Sequence, residues 1–389
     1  MRERGARLAG TSSDAGALMD ARETTSLLMG LAENGGVALV DRLRVVTREW
    51  DLANGPETFP TDRLRLLADL GALSAFVALD DQASVSRLLT ALRLIGGADL
   101  SLGRVFEGHV NAAQLVHAYG DDAQRAALGR DLAEGRCYGV WNTGPAPGMH
   151  IASIPGGYRL SGAKNFATGA GHIDKALITA TRDDGSKQLI VVDVSDGATR
   201  VDNGAWQVRG MRGTMSGTFD FDGMVLPAAA LIGEPDVYER EPRFSGGAWR
   251  FTAVQLGAVE ALLRHWRDHL VTTGKGADAI QRARIGGAIV ATRSAALWVG
   301  QAAQLAEAAA SSAIAHVLMT RGVVEEAGLL VMEGAARAVG TASFFANNRI
   351  DRITRDLGLY LRQPVPDQAR DRAAAAWLEA DCWGEDDWW

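Results

Sequence analysis

The feature that most constrains the fold is a strand-like segment, residues 137–242, that interrupts a chain of helical pattern. Within it, short runs such as KALITATR and KQLIVVDV are separated by Gly, Asp and Asn turns, which is typical of strands joined by tight connections. The turn DDGSKQ predicts a hairpin between these two runs. Several short strands at this spacing favour a small barrel or sandwich over βαβ units.

Helical periodicity flanks this segment on both sides. TDRLRLLADLGALSAF and SLGRVFEGHVNAAQLVHAYG precede it, and AWRFTAVQLGAVEALLRHWRDHL and ADAIQRARIGGAIVATRSAALWVGQAAQLAEAAA follow it. The small residues of the last stretch suit close helix–helix contact, including contact between subunits. We predict an α+β fold with an N-terminal helical domain (residues 1–136), a central β-barrel domain (137–242) and a C-terminal four-helix-bundle-type domain (243–389).

Composition excludes several classes of protein. The net charge of -7 and the lack of a basic run argue against nucleic-acid binding. No apolar run approaches the ~18 residues of a membrane span. Residues 1–14 have basic residues but no apolar stretch after them, so we predict no signal peptide. Two cysteines are too few for a disulfide framework, which favours a cytoplasmic protein.

Three stretches in this order resemble the acyl-CoA dehydrogenase superfamily: VWNTGPAPG followed by LSGAKNFATGAGHIDKALITA, then GMRGTMSGTFDFDGMVLP, then RIDRITRD. The similarity of order and spacing covers nearly the whole chain. The resemblance implies a noncovalent flavin, FAD or else FMN, between the strand segment and the C-terminal bundle. It also implies a homodimer or homotetramer, a small-molecule or acyl-thioester substrate, and an electron-transfer flavoprotein or flavin reductase as partner.

The resemblance assigns cofactor contacts in the strand segment. Asn142 and Thr143 match family positions along the flavin ring edge, Phe166 stands where the family usually has a Trp against the ring, and Thr168 matches its ring-contacting Thr. From the residues alone, Phe166 is equally a strand-core aromatic. The loop GMRGTMSG is either close to the site, with Arg212, or a Gly-rich loop that needs positive φ.

The helical segment supplies further matches and one departure. Gln281 fits the family's glutamine on the second bundle helix, and Arg337 and Gly340 stand where the family covers the adenosine end of FAD. The family's Arg-containing run that reaches the cofactor diphosphate has no counterpart in VTTGKGADAIQ. Lys275 offers a point charge there instead of a planar fork.

Both family positions for a catalytic carboxylate lack an acid. Acyl-CoA dehydrogenases need a base for the proton α to the thioester carbonyl. One such position falls at Pro364, and the other lies in FSGGAWRFTA, where Arg250 is the only charge. Asp356 is a weak substitute that we expect to pair with a neighbouring arginine, and Glu260 and Glu333 are further weak candidates. The catalytic residue is therefore unassigned.

Two other side chains are weak catalytic candidates. His150 follows the NTGPAPG turn and could titrate near a cofactor. Arg250 with Trp249 forms either an anion clamp at the mouth of the bundle or a helix-start ion pair with Glu239 or Glu241.

The resemblance leaves three functions open. The first is an FAD-dependent oxidoreductase of acyl-CoA dehydrogenase type that transfers a hydride from a substrate carbon to flavin N5. The alternative is a reductase-dependent flavin monooxygenase, which hydroxylates through a flavin hydroperoxide and needs no thioester base. The third is a non-catalytic flavin-binding scaffold. No metal site is predicted, because His265 and His269 share a helix face without a third ligand.

Overall fold

The computed structural model describes residues 38–52 and 57–379, so the stretch in which we predicted no signal peptide lies outside the described residues. Five helices precede the strands: α1 Leu39–Leu52, α2 Thr61–Asp69, α3 Gln82–Ala98, α4 Leu100–Tyr119 and α5 Asp122–Ala133. Six follow them: α6 Arg243–Gly246, α7 Trp249–Thr272, α8 Ala279–Glu307, α9 Ala313–Val339, α10 Arg349–Tyr360 and α11 Pro366–Glu379. This order of elements matches the predicted change from helix to strand and back.

Ten strands occupy the middle of the chain: β1 Tyr138–Trp141, β2 His150–Ile154, β3 Gly157–Ser161, β4 Ala163–Lys164, β5 Lys175–Thr181, β6 Lys187–Asp193, β7 Val201–Asp202, β8 Thr218–Asp220, β9 Val225–Leu226 and β10 Leu231–Ile232. Seven form one sheet in the order β10-β6-β5-β2-β3-β9, with β1 also paired to β5, and three form a second sheet in the order β4-β8-β7. Among the described residues the strands make two open sheets, so the prediction of a closed barrel is wrong. The reason is that the end strands β9 and β10 each pair on one side only.

The predicted hairpin is confirmed. β5 and β6 pair antiparallel from Lys175↔Asp193 to Thr181↔Lys187, and Gly185 in the turn between them has a φ of 86°. That backbone conformation suits glycine because it carries no Cβ. The same strand β5 also pairs in parallel with β1, which brings the end of β1 beside the middle of the hairpin.

The helices before and after the sheets meet at a close crossing of α3 and α7. A Cβ on Gly96 would lie 2.4 Å from the Val254 carbonyl oxygen, and one on Gly257 would lie 2.1 Å from the Arg93 carbonyl oxygen. Only glycine permits the two backbones to approach this closely. Trp249 and Trp266 of α7 are fully buried, which places the main helical core around this helix.

Helix α8 is much more open than α7. Gly286, Gly287 and Gly300 have open space where a Cβ would point. Val290 is 67% exposed and Leu297 is 76% exposed on the same helix. These three glycines therefore do not serve close packing within one protomer, whereas Ala288, Ala295, Ala302 and Ala303 of the same helix are fully buried.

Within the described ranges, no single helix is long and apolar enough to cross a membrane, and one pair bent by 116°, Ala313–Phe344 with Arg349–Tyr360, meets the length and composition test only when its two parts are joined. In the same part of the chain, no cluster of three or more His, Cys, Asp or Glu side chains is suited to a metal ion. His265 instead contacts Asp51, with Nε2 3.0 Å from the carboxylate.

Candidate functional site

The loops that follow β1 and β4 lie side by side. The Asn165 amide donates to the Thr143 carbonyl oxygen at 2.9 Å, which ties the loop after β1 to the loop after β4. Asn142 and Thr143 are exposed at the end of β1. The structure thus brings the predicted ring-edge residues of the strand segment together on one open surface.

Phe166 projects from this surface in a strained conformation. Its φ is 53° and its side chain is 57% exposed, so it is not a strand-core aromatic. A non-glycine residue in the left-handed region costs about 1–2 kcal/mol. The ring makes an edge-to-face contact with Trp206 at a centroid distance of 6.2 Å, and Trp206 Nε1 donates to the Met211 carbonyl. The two rings form an aromatic wall beside the loops.

Thr168 contributes a hydroxyl next to that wall. Its Oγ1 lies 3.1 Å from Ser216 Oγ, and its carbonyl accepts a hydrogen bond from Trp141 Nε1 at 2.9 Å. Sequence reasoning missed both Trp206 and Ser216. Ser216 lay within the quoted loop GMRGTMSG, whereas Trp206 sits between strands in a stretch with no periodic signal.

In the loop GMRGTMSG, the positive φ angles do not fall on the glycines, as the Gly-rich interpretation required. The positive φ angles belong to Met211 (56°) and Met215 (43°). Gly210 and Gly217 are needed for close approach, since a Cβ on Gly210 would lie 2.0 Å from the Arg355 carbonyl oxygen. Arg212 in the same loop is exposed and pairs with Glu57 at 3.3 Å.

Behind Asn142 lies a polar cavity with a volume of about 190 Å³. It is lined by Asn142, Gly144, Gly148, Met149, Lys164, Thr179, Ala180, Thr181 and Lys187. Lys164 is 4% exposed, and its Nζ donates to the Asn142 carbonyl at 2.7 Å and to Thr179 Oγ1 at 3.3 Å. Burial, followed by repulsion from Lys187, lowers the pKa of Lys164 to about 8.

The predicted helical contacts are not joined to these loops within one protomer. Gln281 lies in the first turn of α8, and its Oε1 is buried with no hydrogen-bond partner among the described residues. Arg337 is exposed and pairs with Glu333 at 2.5 Å, and Gly340 ends α9 with a φ of 78°. Helix α8 packs mainly on α9 and α7, and helix α9 packs on α8, α7 and α11, so neither helix packs on the sheets.

The two weak catalytic candidates have different surroundings. Arg250 is buried, with one nitrogen 2.5 Å from Glu307 and a further hydrogen bond to Gln114, so it pairs with Glu307 and not, as one alternative had it, with Glu239 or Glu241. It faces the Trp249 ring at 5.2 Å. Because its guanidinium is enclosed, it does not form an open anion clamp. His150 is exposed on β2 and pairs in the sheet with Ser161 and Thr181.

Position 364 offers no proton acceptor. Pro364 is exposed, and its carbonyl accepts a hydrogen bond from Arg321. The Arg321 guanidinium also lies over the Phe251 ring at 5.3 Å, and burial lowers its pKa to about 10. Glu260 is paired with Arg93, with Nε 3.1 Å from the carboxylate. Together with the Glu333–Arg337 pair, this commits both alternative glutamates to ion pairs.

Asp356 connects helix α10 to the strand loops. Its carboxylate accepts a hydrogen bond from the Met211 amide at 2.5 Å and lies 3.8 Å from Arg352 Nε. Burial raises its pKa to about 6, despite these favourable contacts. Arg355 pairs instead with Asp351 at 2.8 Å and Glu57 at 2.6 Å. The carboxylate is thus held in a structural position, as the sequence suggested.

Known proteins resemble this chain both in sequence and in fold. No family model matches the chain. A dibenzothiophene monooxygenase from Rhodococcus erythropolis is 27% identical over 226 residues, which is 53% of each chain. The chain thus spans about half the length of the curated relatives it matches.

Solved structures share the fold over most of both chains. The complex of TdsC from Paenibacillus sp. A11-2 with FMN and indole superposes with a TM-score of 0.74 at 19% identity, covering 90% of this chain and 96% of that one. Methanesulfinate monooxygenase MsuC from Pseudomonas fluorescens gives a TM-score of 0.75 at 18% identity, covering 88% and 97%. The predicted resemblance to the acyl-CoA dehydrogenase superfamily and its flavin monooxygenase branch is confirmed. These relatives favour the monooxygenase alternative over the dehydrogenase that we placed first.

Proposed function

We propose that the protein is a flavin-dependent monooxygenase that receives reduced flavin from a separate reductase. The observation that carries this proposal is that neither family position for the thioester base, position 364 or the segment FSGGAWRFTA, holds a carboxylate. Position 364 is a proline, and Asp356 is held by Met211 and Arg352. The similarity to dibenzothiophene monooxygenases supports the same conclusion.

The residues of the strand loops fit a flavin ring. Phe166 keeps a strained, exposed position that loop stability alone does not favour, and with Trp206 it supplies an apolar wall. Asn142 and Thr168 supply polar groups for the ring edge. When bound, the flavin supplies the oxygen-activating chemistry. The protein's part is to orient the ring and to exclude water from one face.

We propose a small aromatic compound as the substrate class. The relatives are monooxygenases of dibenzothiophene, and the TdsC complex contains indole.

The active form that we propose is a homo-oligomer in the cytoplasm. Gln281 keeps a buried oxygen without a partner in the described part of the chain, and Val290 and Leu297 expose an apolar face on the same helix. A second copy packed on α8 would cover that face, and it would let the helical residues of one protomer complete the flavin site of the other.

The decisive experiment is reconstitution with FMN, NADH and a purified flavin reductase, using dibenzothiophene and indole as probes. We expect a product that carries one oxygen atom from labelled O2. Thr168→Val should lower turnover by about tenfold, because a hydrogen bond to the ring edge contributes about 1.4 kcal/mol. Thr199→Val, the same change at an exposed threonine outside the site, is the matched control and should keep full turnover.

Two results would contradict the proposal. Bleaching of bound flavin by an acyl-CoA under argon would identify a dehydrogenase. Failure of the purified protein to bind either FMN or FAD would identify a scaffold without flavin chemistry.

A further inference from the structure

The hydroxyls beneath Thr168 form a relay with a defined direction. Thr214 Oγ1 donates its hydrogen to the Met211 carbonyl at 2.8 Å, so it accepts from Ser216 Oγ, also at 2.8 Å. Ser216 has then used its only hydrogen, and Thr168 Oγ1 must donate to it across 3.1 Å. A hydroxyl has one hydrogen and two lone pairs. Thr168 therefore presents lone pairs, and no hydrogen, to the open side of the loop.

A second relay fixes the amide of Asn142. The Lys164 ammonium has only donors, so Thr179 Oγ1 accepts from it at 3.3 Å. The Thr179 hydrogen then goes to Asn142 Oδ1 at 2.5 Å. Lys164 also holds the Asn142 backbone carbonyl at 2.7 Å. With Oδ1 turned inward, the Asn142 Nδ2 group keeps both hydrogens for a ligand.

The charge at the start of this relay is uncompensated. Within the described ranges, no carboxylate lies within 4.0 Å of Lys164 Nζ, and its neighbour Lys187 is paired with Glu239 at 2.5 Å. Burial lowers the pKa of Lys164 to about 8, so most of the side chain is still charged at pH 7. A positive charge behind Asn142 favours a ligand that carries more negative charge.

We propose that these two relays set a donor at Asn142 and an acceptor at Thr168, and that the acceptor at Thr168 selects reduced flavin over oxidised flavin. The inference rests on the proposed function and names the residues behind its cofactor preference. In oxidised flavin, N5 and the C4 carbonyl are both acceptors. In reduced flavin, N5 carries a hydrogen, so the ring edge offers one donor and one acceptor. If N5 of oxidised flavin faced the lone pairs of Thr168, two acceptors would meet and one hydrogen bond would be lost.

Ser216, Thr214, Thr179 and Lys164 are positioning residues in this account, since they act through Thr168 and Asn142. The first test measures the dissociation constants of oxidised FMN in air and of dithionite-reduced FMN under argon. Wild type should bind reduced FMN more tightly. Ser216→Ala frees the Thr168 hydrogen to turn outward, and the ratio of the two constants should shift about tenfold toward oxidised FMN. Thr214→Ser retains every hydroxyl and should keep the wild-type ratio.

The second relay is tested in the same way with Thr179→Val, which removes the hydroxyl at nearly constant volume. It should weaken both redox states of FMN by a similar factor, because the Asn142 amide is no longer held and the C4 carbonyl is an acceptor in both states. Thr181→Val lies two residues along the same strand and lines the same cavity, and it should leave both constants unchanged. Circular dichroism checks that each variant is folded.

The outcomes separate the two proposals. A wild type that binds FMN equally well in both redox states, or a folded Ser216→Ala protein with the wild-type ratio, overturns the relay inference alone. A wild type that binds neither form overturns the proposed function and the relay inference together.

Discussion

The two parts of the predicted flavin site differ in how completely one protomer builds them. In the strand loops, Asn142, Phe166 and Thr168 lie on joined backbone segments with defined hydrogen-bond partners. On the helices, Gln281 has a buried oxygen without a partner in the described ranges, and Arg337 is exposed beside Glu333. The strand part is organised in advance, whereas the helical part is open.

This difference has a physical cause in how the two parts are packed. Strand loops are held by sheet register and by close contacts at Gly210 and Gly217, which need only one chain. Helix α8 packs one side on α7 and leaves Val290 and Leu297 uncovered. An exposed apolar helix face of this kind favours contact with another protein surface, which would also complete the helical part of the site. A second copy of the chain is the partner that we propose.

The largest expected effect comes from charging the open face. Val290 and Leu297 lie seven residues apart, two helical turns along one face. Replacing both with Glu should convert the oligomer to monomers, because burying two carboxylates in an apolar contact costs several kcal/mol. Light scattering after size-exclusion chromatography measures the mass, and FMN titration should show an affinity at least about tenfold weaker.

The control for this change is Val225→Glu on β9, which is 58% exposed on the sheet and should change neither mass nor affinity. If the variant with Glu at both 290 and 297 kept the wild-type mass, a second copy would not pack on this face of α8, and the proposal that it completes the helical part of the site would be contradicted.

An intermediate effect is expected where the two parts are joined. Burial raises the pKa of Asp356 to about 6 from its ordinary value of 3.8, so the folded state holds this proton more tightly than the unfolded state. Its contribution to the free energy of unfolding is complete below pH 3.8 and is lost as pH rises through 6. At about 1.4 kcal/mol per pKa unit, the loss is at most about 3 kcal/mol.

Asp356→Asn keeps an oxygen for the Met211 amide and removes the titration. Urea unfolding at several pH values should show that the difference in stability between variant and wild type grows in favour of the variant from pH 4 to pH 7. A difference that does not vary with pH would mean that the carboxylate is ionised at the same pH in both states. Asp356→Ala loses the hydrogen bond as well and should be less stable than Asp356→Asn throughout.

The smallest effect concerns the strain stored in the strand part. At a φ of 53°, Phe166→Gly removes about 1 kcal/mol of backbone strain, whereas Phe166→Ala removes the ring and keeps the strain. We therefore expect the free energy of unfolding of the Gly variant to exceed that of the Ala variant by about 1 kcal/mol. Both should bind FMN more weakly than wild type. Equal stability of the two variants would show that the loop relaxes around position 166.

Local pattern was sufficient to predict much of the fold, and it supplied the candidate residues of the site. The DDGSKQ turn and its flanking apolar runs predicted the β5–β6 hairpin, since turn chemistry and strand alternation act over a few residues. Motif order likewise singled out Asn142 and Phe166. The barrel was wrong because pairing at the free edges of β9 and β10 depends on how distant strands meet. Ion-pair partners were missed for the same reason, as with Arg250 and Glu307.

The sequence by itself determined the order of helices and strands, the loops that carry Asn142, Phe166 and Thr168, and the proline at position 364. Only the tertiary structure decided that Trp206 stands beside Phe166, that Ser216 receives the Thr168 hydrogen, and that Lys164 acts on Asn142 through Thr179. Periodicity and turns are properties of neighbouring residues. The direction of a hydrogen bond depends on which groups the folded chain brings within reach, and no local pattern carries that information.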